Sequence, residues 1–559
     1  MRRDLSALAR GTFDVVVVGG GICGACAAWD AALRGLSVAL LERGDWSGAT
    51  SAHSLKVVHG GIRYLQHADI ERVRECSFER SAFLRIAPHL VHPLPFVVPT
   101  YGLGMRGKAV LGVAFQLLGV LTADRNRDLT DPARRIPGGR LISKAEVLAM
   151  FPGLVDEHGL TGAGVFHDGQ LHDPPRLVLS VVRAAAEAGA VAANHCEVER
   201  LIVSDRRAVG VTAVDRLSGG RFEVRARTVL NAAGPYAEEL LVRSGLQPRR
   251  VIPLSRDMAI VVPRPIIRQG ALAMQTKYRD PAAVLSRGNR HLFMVSWRGY
   301  TLIGVNSRIY EETPSELGVT EAEVCGFLDE INQANPSLRL TLDDVSVVNA
   351  GLLPFGENTG ASADLTFGKR SHLIDHATRG GIEGLVTAMS VRYTTGRIAA
   401  EKAVDLAFAK MGRAAPPCRT ARTPVHGGAI ARIDDLVEAA VRERPAWLSP
   451  ESARHLVRSH GSDHGAVVRL AEESPPLRET LGTSPVLKAE VVHGVRMEMA
   501  QRLTDVVLRR TDLGTGAHPG AAVVAECARL MAGELGWDAA RVERELAEVR
   551  AAYPAWVRA

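Results

Sequence analysis

The sequence predicts an α/β protein with a mostly parallel sheet in one domain, an antiparallel sheet in a second and helices alone in a third. An apolar run enters a glycine-rich turn near the N-terminus. Strand-like runs recur between residues 251 and 305, and helix formers with apolar spacing of three and four dominate after residue 434. With 559 residues, 46% of them hydrophobic, the chain should divide into two or three domains.

The glycine-rich turn joins a predicted strand over 13–18 to an alanine-rich predicted helix over 25–33. Gly19 permits a tight turn, Gly21 lets the backbone approach a pyrophosphate, and Gly24 lets the helix pack closely against the strand. The N-terminus of the helix can then stabilise phosphate charge.

An acidic residue follows the turn at a meaningful distance. A second apolar strand, 37–41, ends in Glu42, which lies 18 residues after Gly24. A carboxylate there can accept hydrogen bonds from an adenosine ribose. A buried βαβ unit with incidental glycines would not require it. The pattern therefore predicts a Rossmann-like dinucleotide-binding domain.

Residues 49–65 form a second and more specific motif, ATSAHSLKVVHGGIRYL. It resembles the signature of the FAD-dependent glycerol-3-phosphate dehydrogenases and oxidases, which usually reads ATSSxSSKLIHGGLRYL. The resemblance continues at 168–177, 231–235, 393–397 and 427–430, so it covers nearly the whole chain. It implies FAD as cofactor, a FAD-binding domain of the glutathione-reductase/D-amino-acid-oxidase type, and oxidation of a secondary alcohol by hydride transfer to flavin N5.

The resemblance also implies which residues contact FAD. A helix beginning after Thr394 and Thr395 would direct its positive end at the flavin and stabilise the negative charge that reduction places there. The full predicted set is Gly19, Gly21, Gly24, Glu42, Thr50, Ser51, Ser54, Lys56, Gly60, Gly61, Val198, Ala233, Gly234, Arg392, Thr394 and Thr395.

The catalytic residues are predicted from the same motifs. His59 is the candidate base, because histidine titrates in the useful range and family members carry histidine there. The alternative is that His59 only hydrogen-bonds the flavin or the backbone. Arg63 and Tyr64 match the family's substrate pocket, Arg290 matches an arginine associated with phosphate or substrate, and Arg392 keeps a positive charge near the flavin. Such arginines suit an anionic substrate.

Two departures from the family pattern concern the substrate. Leu353 stands where the family's SGVRPL motif has arginine, and Val391 and Gly396 replace the glycine and tyrosine of the GGKLTTYR motif. The leading hypothesis is oxidation of sn-glycerol 3-phosphate to dihydroxyacetone phosphate. A different polyol, sugar or phosphorylated alcohol is the competitor. Candidates to replace the missing cation are Arg298, Arg308 and Lys369.

Two other classes of protein remain as alternatives. A FAD amine or amino-acid oxidase would explain the glycine turn and Glu42, but not residues 59–64 or the additional helical domain. A flavin-binding protein without catalysis is supported only by the changes at Leu353 and Val391. The retention of His59, Arg63 and Arg392 argues against it.

Composition excludes several partners. The net charge is only +7, and the basic stretch 249–256 lacks interleaved aromatic residues, so no nucleic-acid partner is expected. The 7 cysteines show neither disulfide nor zinc spacing, which predicts a reducing cytoplasm and no metal site. Cys23 and Cys26 form a CxxC pair, for which packing is favoured over redox chemistry.

Membrane contact is the remaining question. No segment has about 18 uninterrupted apolar residues, so no membrane span is expected. Residues 109–121 are apolar except for Gln116, and form either a core helix or a surface helix that enters the lipid interface. The resemblance implies quinone as electron acceptor, with oxygen as the alternative. The expected location is the cytoplasm, at the inner face of the membrane, and a homodimer would be unsurprising.

The predicted domains are discontinuous. Strands at 251–262, 282–285, 291–295 and 300–305 are assigned to the antiparallel sheet. The domains are a FAD-binding domain over 1–95, 175–245 and 351–410, a substrate-binding or cap domain over 96–174 and 246–350, a linker over 411–425, and a helical C-terminal domain over 426–559.

Overall fold

The structure of the protein, a computed structural model, describes residues 1–102, 107–247, 252–279, 289–355 and 371–557. The described strands form two sheets. They are β1 (Thr12–Val18), β2 (Val38–Leu41), β3 (Val57–Val58), β4 (Val91–Tyr101), β5 (Arg140–Ser143), β6 (Leu160–Leu171), β7 (Val191–Ala193), β8 (Cys196–Ser204), β9 (Arg207–Asp215), β10 (Arg221–Asn231), β11 (Leu254–Val262), β12 (Ala271–Arg279), β13 (Asn289–Trp297), β14 (Tyr300–Tyr310), β15 (Val347–Pro354), β16 (His372–Asp375) and β17 (Leu385–Met389).

Helices cover the sheets and build the C-terminal domain. They are α1 (Leu5–Arg10), α2 (Ile22–Leu33), α3 (Ile70–Ile86), α4 (Lys108–Leu121), α5 (Lys144–Met150), α6 (Pro174–Glu187), α7 (Ala237–Arg243), α8 (Glu321–Ala334), α9 (His376–Gly380), α10 (Gly396–Lys410), α11 (Ile433–Glu443), α12 (Pro450–His460), α13 (His464–Glu473), α14 (Lys488–Glu498), α15 (Leu503–Asp505), α16 (Ala521–Leu535) and α17 (Ala539–Ala551).

The first sheet, called here the parallel sheet, has the strand order β16-β17-β10-β1-β2-β7, with the β8–β9 pair added beside β10. Strand β1 lies parallel to both neighbours, with Val15 opposite Val38 on β2 and Thr228 on β10. The consecutive valines of β1 are buried, as expected for a parallel strand with both faces covered. Helices α6 and α10 pack on α2, whose alanines permit the close approach.

The second sheet, called here the antiparallel sheet, has the order β15-β11-β14-β13-β12-β4-β6-β3, with β5 paired to β6. The pairs are antiparallel except for β12 with β4. The predicted strands at 291–295 and 300–305 lie within β13 and β14, and the strand predicted over 251–262 is present from Leu254. The predicted run 282–285 and Val251 lie outside the described residues.

The predicted domain boundaries fall inside strands of the antiparallel sheet. Strand β4 enters this sheet at Val91, before the predicted boundary at 96, and β15 continues in it to Pro354, beyond 350. The short strand β3 also pairs with β6, although it belongs to the motif predicted to contact FAD. The two sheets are therefore interleaved along the chain more closely than the sequence indicates.

Residues 411–425, predicted as a linker, contain no helix or strand, yet they pack against the parallel-sheet domain. The Val425 N–H donates to the carbonyl of Ile86 at 3.0 Å. Thr420 is buried and accepts a hydrogen bond from Arg397, whose guanidinium also pairs with Glu79. Beyond this segment, helices α11 to α17 enclose their own apolar core.

Buried ion pairs join the C-terminal domain to the parallel sheet. The Asp45 carboxylate, three residues after Glu42, accepts hydrogen bonds from Arg510 at 2.6 and 2.7 Å and from Arg509 at 2.8 Å. In the same way Glu498 accepts from Arg176 and Arg183 of α6. Each carboxylate is matched by two guanidiniums, whose charge opposes the binding of a cation. We interpret these clusters as structural networks.

The exposure of α4 is that of a surface helix, and it excludes the core helix that was one of the two alternatives predicted for residues 109–121. Phe115 is its only residue that is fully buried, whereas Val113 is 70% and Val120 75% exposed. Among the residues described, no helix has the length and apolar character needed to cross a bilayer.

The pH dependence of stability is predicted from a buried pair in the C-terminal domain. The ring of His455 lies 3.1 Å from Glu490 and 3.8 Å from Asp512. Burial alone would lower the pKa of His455, but these carboxylates outweigh it and raise it to about 9. The pair therefore stabilises the fold fully below the unfolded value of about 6.5, and this contribution is lost as the pH rises through 9.

We predict that His455→Gln lowers the free energy of unfolding by on the order of 2 kcal/mol at pH 6 and by much less at pH 10. Urea unfolding of the holoprotein across this range measures the difference. The control is His158→Gln, at an exposed histidine. A penalty for His455→Gln that stays constant with pH would contradict the assignment.

Candidate active site

A cavity of about 1730 Å³ extends between the two sheets. Its walls include the glycine turn, residues 48–65, the Ala232–Tyr236 turn, strands β11, β13 and β15, and residues 388–394. The sequence motifs that were predicted to act together thus meet in one space, although they lie hundreds of residues apart.

The glycine turn is shaped by backbone contacts that exclude side chains. Gly19 has φ of +105°, and a Cβ there would lie 2.6 Å from the carbonyl oxygen of Ala232. A Cβ on Gly24 would lie 1.9 Å from the carbonyl oxygen of Gly19. Helix α2 begins after Gly21 without a side-chain cap, and the Ile22 N–H donates to Ser51 Oγ at 3.1 Å. The helix start at the cavity wall is suited to a pyrophosphate.

Glu42 lies at the end of β2, where the sequence predicts a ribose contact. Its carboxylate accepts hydrogen bonds from the N–H of Gly20 at 2.6 Å and of Gly44 at 2.8 Å. Burial raises the pKa of Glu42 in spite of these donors. Val198 lines the same region, as predicted, together with Tyr236, whose ring lies 3.7 Å from the Arg43 guanidinium. No sequence motif indicated that Arg43 and Tyr236 would lie together at this site.

Most of the other predicted FAD residues line the cavity: Thr50, Ser51, Ser54, Gly61, Ala233, Gly234, Arg392 and Thr394. Gly24, which packs against Gly19, is not part of the lining, and neither are Lys56, Gly60 and Thr395. The Lys56 ammonium donates to Ala52 O at 2.5 Å and Asn349 Oδ1 at 3.3 Å, and the Thr395 hydroxyl lies 3.2 Å from Ser390 Oγ. The Gly60 N–H donates to Asp168. These three residues support the walls from behind.

His59 lines the cavity beside the predicted substrate residues. Its backbone N–H donates to Thr394 Oγ1 at 3.1 Å, and its half-buried ring lies 6.0 Å from the ring of Tyr64. Burial, together with the positive charges of Arg392 and Arg80, lowers the pKa of His59 to about 3. The imidazole is therefore neutral at physiological pH and has a nitrogen able to accept a proton.

Tyr64 lies between arginines. The guanidinium carbons of Arg72 and Arg392 are 4.7 and 4.9 Å from the centre of its ring, within cation–π distance. Arg63, the predicted neighbour, also lines the cavity and is exposed in this structure. Burial raises the pKa of Tyr64, so the phenol stays protonated. This end of the cavity is cationic.

The residues considered as substitutes for the missing arginine lie elsewhere. Arg298 pairs with Asp512 at 3.1 Å and so is bound to the C-terminal domain, and Arg308 pairs with Glu323. Lys369 and the side chain of Arg290 lie outside the described residues. Leu353 itself lines the cavity, so its position offers an apolar surface and no charge.

Sequence reasoning missed several residues of the cavity. Arg72 is on α3, beyond the motif that ends at residue 65, and only the folded contact with Tyr64 identifies it. The apolar wall is formed by residues from β4, β6, β13 and α4, which no sequence motif connects: Phe96, Val98, Leu111, Ala114, Phe166 and Phe293.

These residues fit FAD. The start of α2 after Gly21 suits the pyrophosphate and Glu42 suits the ribose. Thr394 lies in the cavity wall two residues before the start of α10. The fold and this site define a FAD-dependent oxidoreductase.

Comparison with known proteins leads to the same class of enzyme. A model of the FAD dependent oxidoreductase family matches residues 14–401, and one of the C-terminal domain of alpha-glycerophosphate oxidase matches residues 418–542. The chain belongs to this FAD-dependent family and, within it, to the glycerol-3-phosphate dehydrogenases. The predicted cofactor and the fold class, including the helical C-terminal domain, are confirmed.

Individual relatives span nearly the whole chain. The glycerol-3-phosphate dehydrogenase of Mycobacterium leprae is 32% identical over 546 residues, covering 96% of this chain and 88% of that protein. That of Synechocystis is 28% identical over 557 residues, covering 97% of both. The crystal structure of the Bacillus halodurans glycerol-3-phosphate dehydrogenase complexed with FAD has a TM-score of 0.76 at 25% identity, and covers 98% of this chain and 95% of that one.

The close approach of the glycine turn to α2 gives a direct test of cofactor binding. Because a Cβ at Gly24 would overlap the carbonyl of Gly19, we predict that Gly24→Ala displaces the turn and weakens FAD binding at least tenfold. Titration of the apoprotein with FAD measures this. Gly326→Ala is the control, since this helical glycine has open space around it. Equal FAD affinity in both variants would show that Gly24 has no such role.

Proposed function

We propose that the protein oxidises sn-glycerol 3-phosphate to dihydroxyacetone phosphate. The observation that carries this proposal is the neutral His59 imidazole beside a cationic group of arginines around Tyr64, in the cavity that fits FAD. The relatives named above, described as glycerol-3-phosphate dehydrogenases, support the same substrate.

When bound, FAD supplies the acceptor for the hydride that leaves the carbinol carbon. His59 accepts the proton of the substrate hydroxyl, so that a carbonyl is left as the hydride departs. Its low pKa in the free protein is caused partly by Arg392 and Arg80. An anionic substrate beside these arginines would offset their charge, raise the pKa of His59 and make it a stronger base.

Arg63 and Arg392 hold the anionic end of the substrate in this proposal. Both line the cavity, and the position of Arg392 near Tyr64 and His59 places positive charge where a phosphate and a reduced flavin would be stabilised. Arg290 is proposed for the same task on its position in β13 alone.

The competing substrates are other phosphorylated alcohols, polyols or sugars. Leu353 favours them, because it removes one cation from the family's pattern and leaves an apolar wall. An amine or amino-acid oxidase is disfavoured by the C-terminal domain, which matches that of alpha-glycerophosphate oxidase. The cavity retains His59, Arg63 and Arg392, which argues against a flavin protein without catalysis.

Quinone is the proposed electron acceptor, and α4 is the proposed membrane contact. Leu111 and Ala114 of this helix line the cavity, whereas Val113, Leu117 and Val120 are exposed on its outer face. An apolar acceptor dissolved in a bilayer could thus approach the flavin along one helix. Exposed aliphatic side chains on a helix flanked by basic residues suit an anionic lipid surface.

The base assignment predicts the effect of His59→Asn. Anaerobic reduction of the flavin by glycerol 3-phosphate should slow by about 100-fold or more, since the hydroxyl proton has no acceptor. Stopped-flow absorbance near 450 nm measures it. In the unaltered protein the rate should fall at acid pH as His59 is protonated in the complex, and the variant should lose that decline. His158→Asn, at an exposed histidine, is the control. An unchanged rate in His59→Asn removes this residue from the role of base.

The membrane proposal predicts that Val113→Glu with Val120→Glu lowers binding to vesicles containing anionic lipid at least tenfold and reduces quinone turnover. Reduction of the flavin by substrate should stay within about twofold, because these side chains point away from the cavity lining. Val242→Glu is the matched control, since Val242 is 62% exposed and lies on α7. Vesicle co-sedimentation and a quinone-reduction assay compare the double variant with this control. Equal vesicle binding by both variants would rule out α4 as the contact.

A further inference from the structure

The substrate proposal leaves one physical problem. Leu353 contributes no charge where the family pattern has an arginine, and the described candidates Arg298 and Arg308 are paired outside the cavity. Each missing charge-assisted contact weakens the binding free energy of a phosphate dianion by roughly 1.5–3 kcal/mol, which is about one to two decades of affinity. A third cation is therefore needed at the cationic end.

We propose that Arg72 of α3 supplies this cation and binds the anionic phosphate of the substrate together with Arg63 and Arg392. The identity of the substrate rests on the proposed function, whereas the position of the three arginines near Tyr64 is an observation that is independent of it.

Geometry places Arg72 in the right part of the cavity. Its guanidinium carbon lies 4.7 Å from the ring centre of Tyr64, and that of Arg392 lies 4.9 Å from the same centre. The His59 ring is 6.0 Å from the Tyr64 ring, so the anion-binding group and the base lie against one side chain. Arg72 also lines the cavity, with a side chain that is largely buried.

Charge supports the same assignment. Burial dominates and raises the pKa of Tyr64, and the Cys76 thiol acts in the same direction, whereas Arg392, Arg72 and Arg63 each favour the anionic form of the phenol. A bound anion at this position would therefore be stabilised by all three. Among the carboxylates that line the same cavity, Asp168 is compensated by Arg80, and Asp69 is compensated by Arg72 itself. Arg63 and Arg392 therefore supply the excess of positive charge, while Arg72 supplies further N–H donors.

Arg72 is also held in place before any ligand arrives. Its Nη2 pairs with Oδ2 of Asp69 at 3.0 Å, and the Asp69 side chain accepts the Arg72 backbone N–H at the start of α3. A guanidinium has five N–H donors, so this pair leaves donors for a phosphate. Orienting the fork in advance lowers the entropy lost on binding.

The chain offers a matched control on the same helix. Arg74 is two residues away, but it is 54% exposed and pairs with Asp124 on the surface. Arg72→Met and Arg74→Met remove the same charge from the same helix, and only the first removes it from the cavity. Arg72→Lys keeps a point charge without the fork.

The experiment is steady-state and anaerobic half-reaction kinetics with the FAD-loaded protein. We expect Arg72→Met to raise KM for glycerol 3-phosphate 10- to 100-fold and to raise the inhibition constant of inorganic phosphate by a similar factor. Oxidation of glycerol, which has no phosphate, should be affected by Arg72→Met far less than oxidation of glycerol 3-phosphate. Arg72→Lys should be intermediate, and Arg74→Met should match the unaltered protein. Adding Leu353→Arg to Arg72→Met should recover part of the affinity.

Equal KM and phosphate inhibition in Arg72→Met and Arg74→Met would overturn the assignment. If Arg72→Met loses flavin, the comparison of Arg72→Lys with Arg74→Lys decides in the same way. Failure of glycerol 3-phosphate to bleach the unaltered protein would refute the proposed function. In that case perturbation of the flavin spectrum by inorganic phosphate in the unaltered protein, but not in Arg72→Met, would still support the anion site, and its absence would refute it.

Discussion

The active-site geometry depends on the buried Asp168 carboxylate of β6. It accepts the Gly60 N–H at 2.6 Å and pairs with Arg80 at 3.0 Å, which fixes the segment carrying His59 against the antiparallel sheet. A Cβ on Gly60 would lie 2.1 Å from Arg80 Nη1, so only glycine permits this packing. Two charges buried together are stable only while both partners remain, which makes the position of His59 a property of the whole cluster.

The same cluster also sets the electrostatics of the reaction site. Arg80 is matched by Asp168, while Arg392 faces the cavity, and both lower the pKa of His59. Burial and, after it, these two cations keep the His59 imidazole neutral, and an anion bound beside the arginines would raise its pKa. Under the proposed function, the arginines that bind the substrate's anionic end also make His59 more basic once the anion is bound, so a ligand without negative charge would be bound and deprotonated less well.

The sequence predicted those parts of the site in which one short segment determines its own conformation. The glycine turn, Glu42 and the segment around His59 are of this kind, since each works through its own backbone. Lys56 and Thr395 lie in the correct motifs but turn behind the wall, because side-chain direction depends on partners such as Asn349 that are remote in sequence. Arg72 was missed because it lies outside every recognised motif, and only the fold brings its side chain to the cavity beside Tyr64. Helix α4 was ambiguous because it is apolar on nearly every side, and a periodic pattern then identifies no buried face.

The pairing of Asp45 with Arg509 and Arg510 has a consequence for the order in which the chain acquires its structure. Asp45 follows β2 near the beginning of the chain, and its partners are synthesised more than four hundred residues later. Until they emerge, a carboxylate destined for the interior has no counter-charge. We therefore expect the final packing around Asp45 to follow the docking of the C-terminal helices.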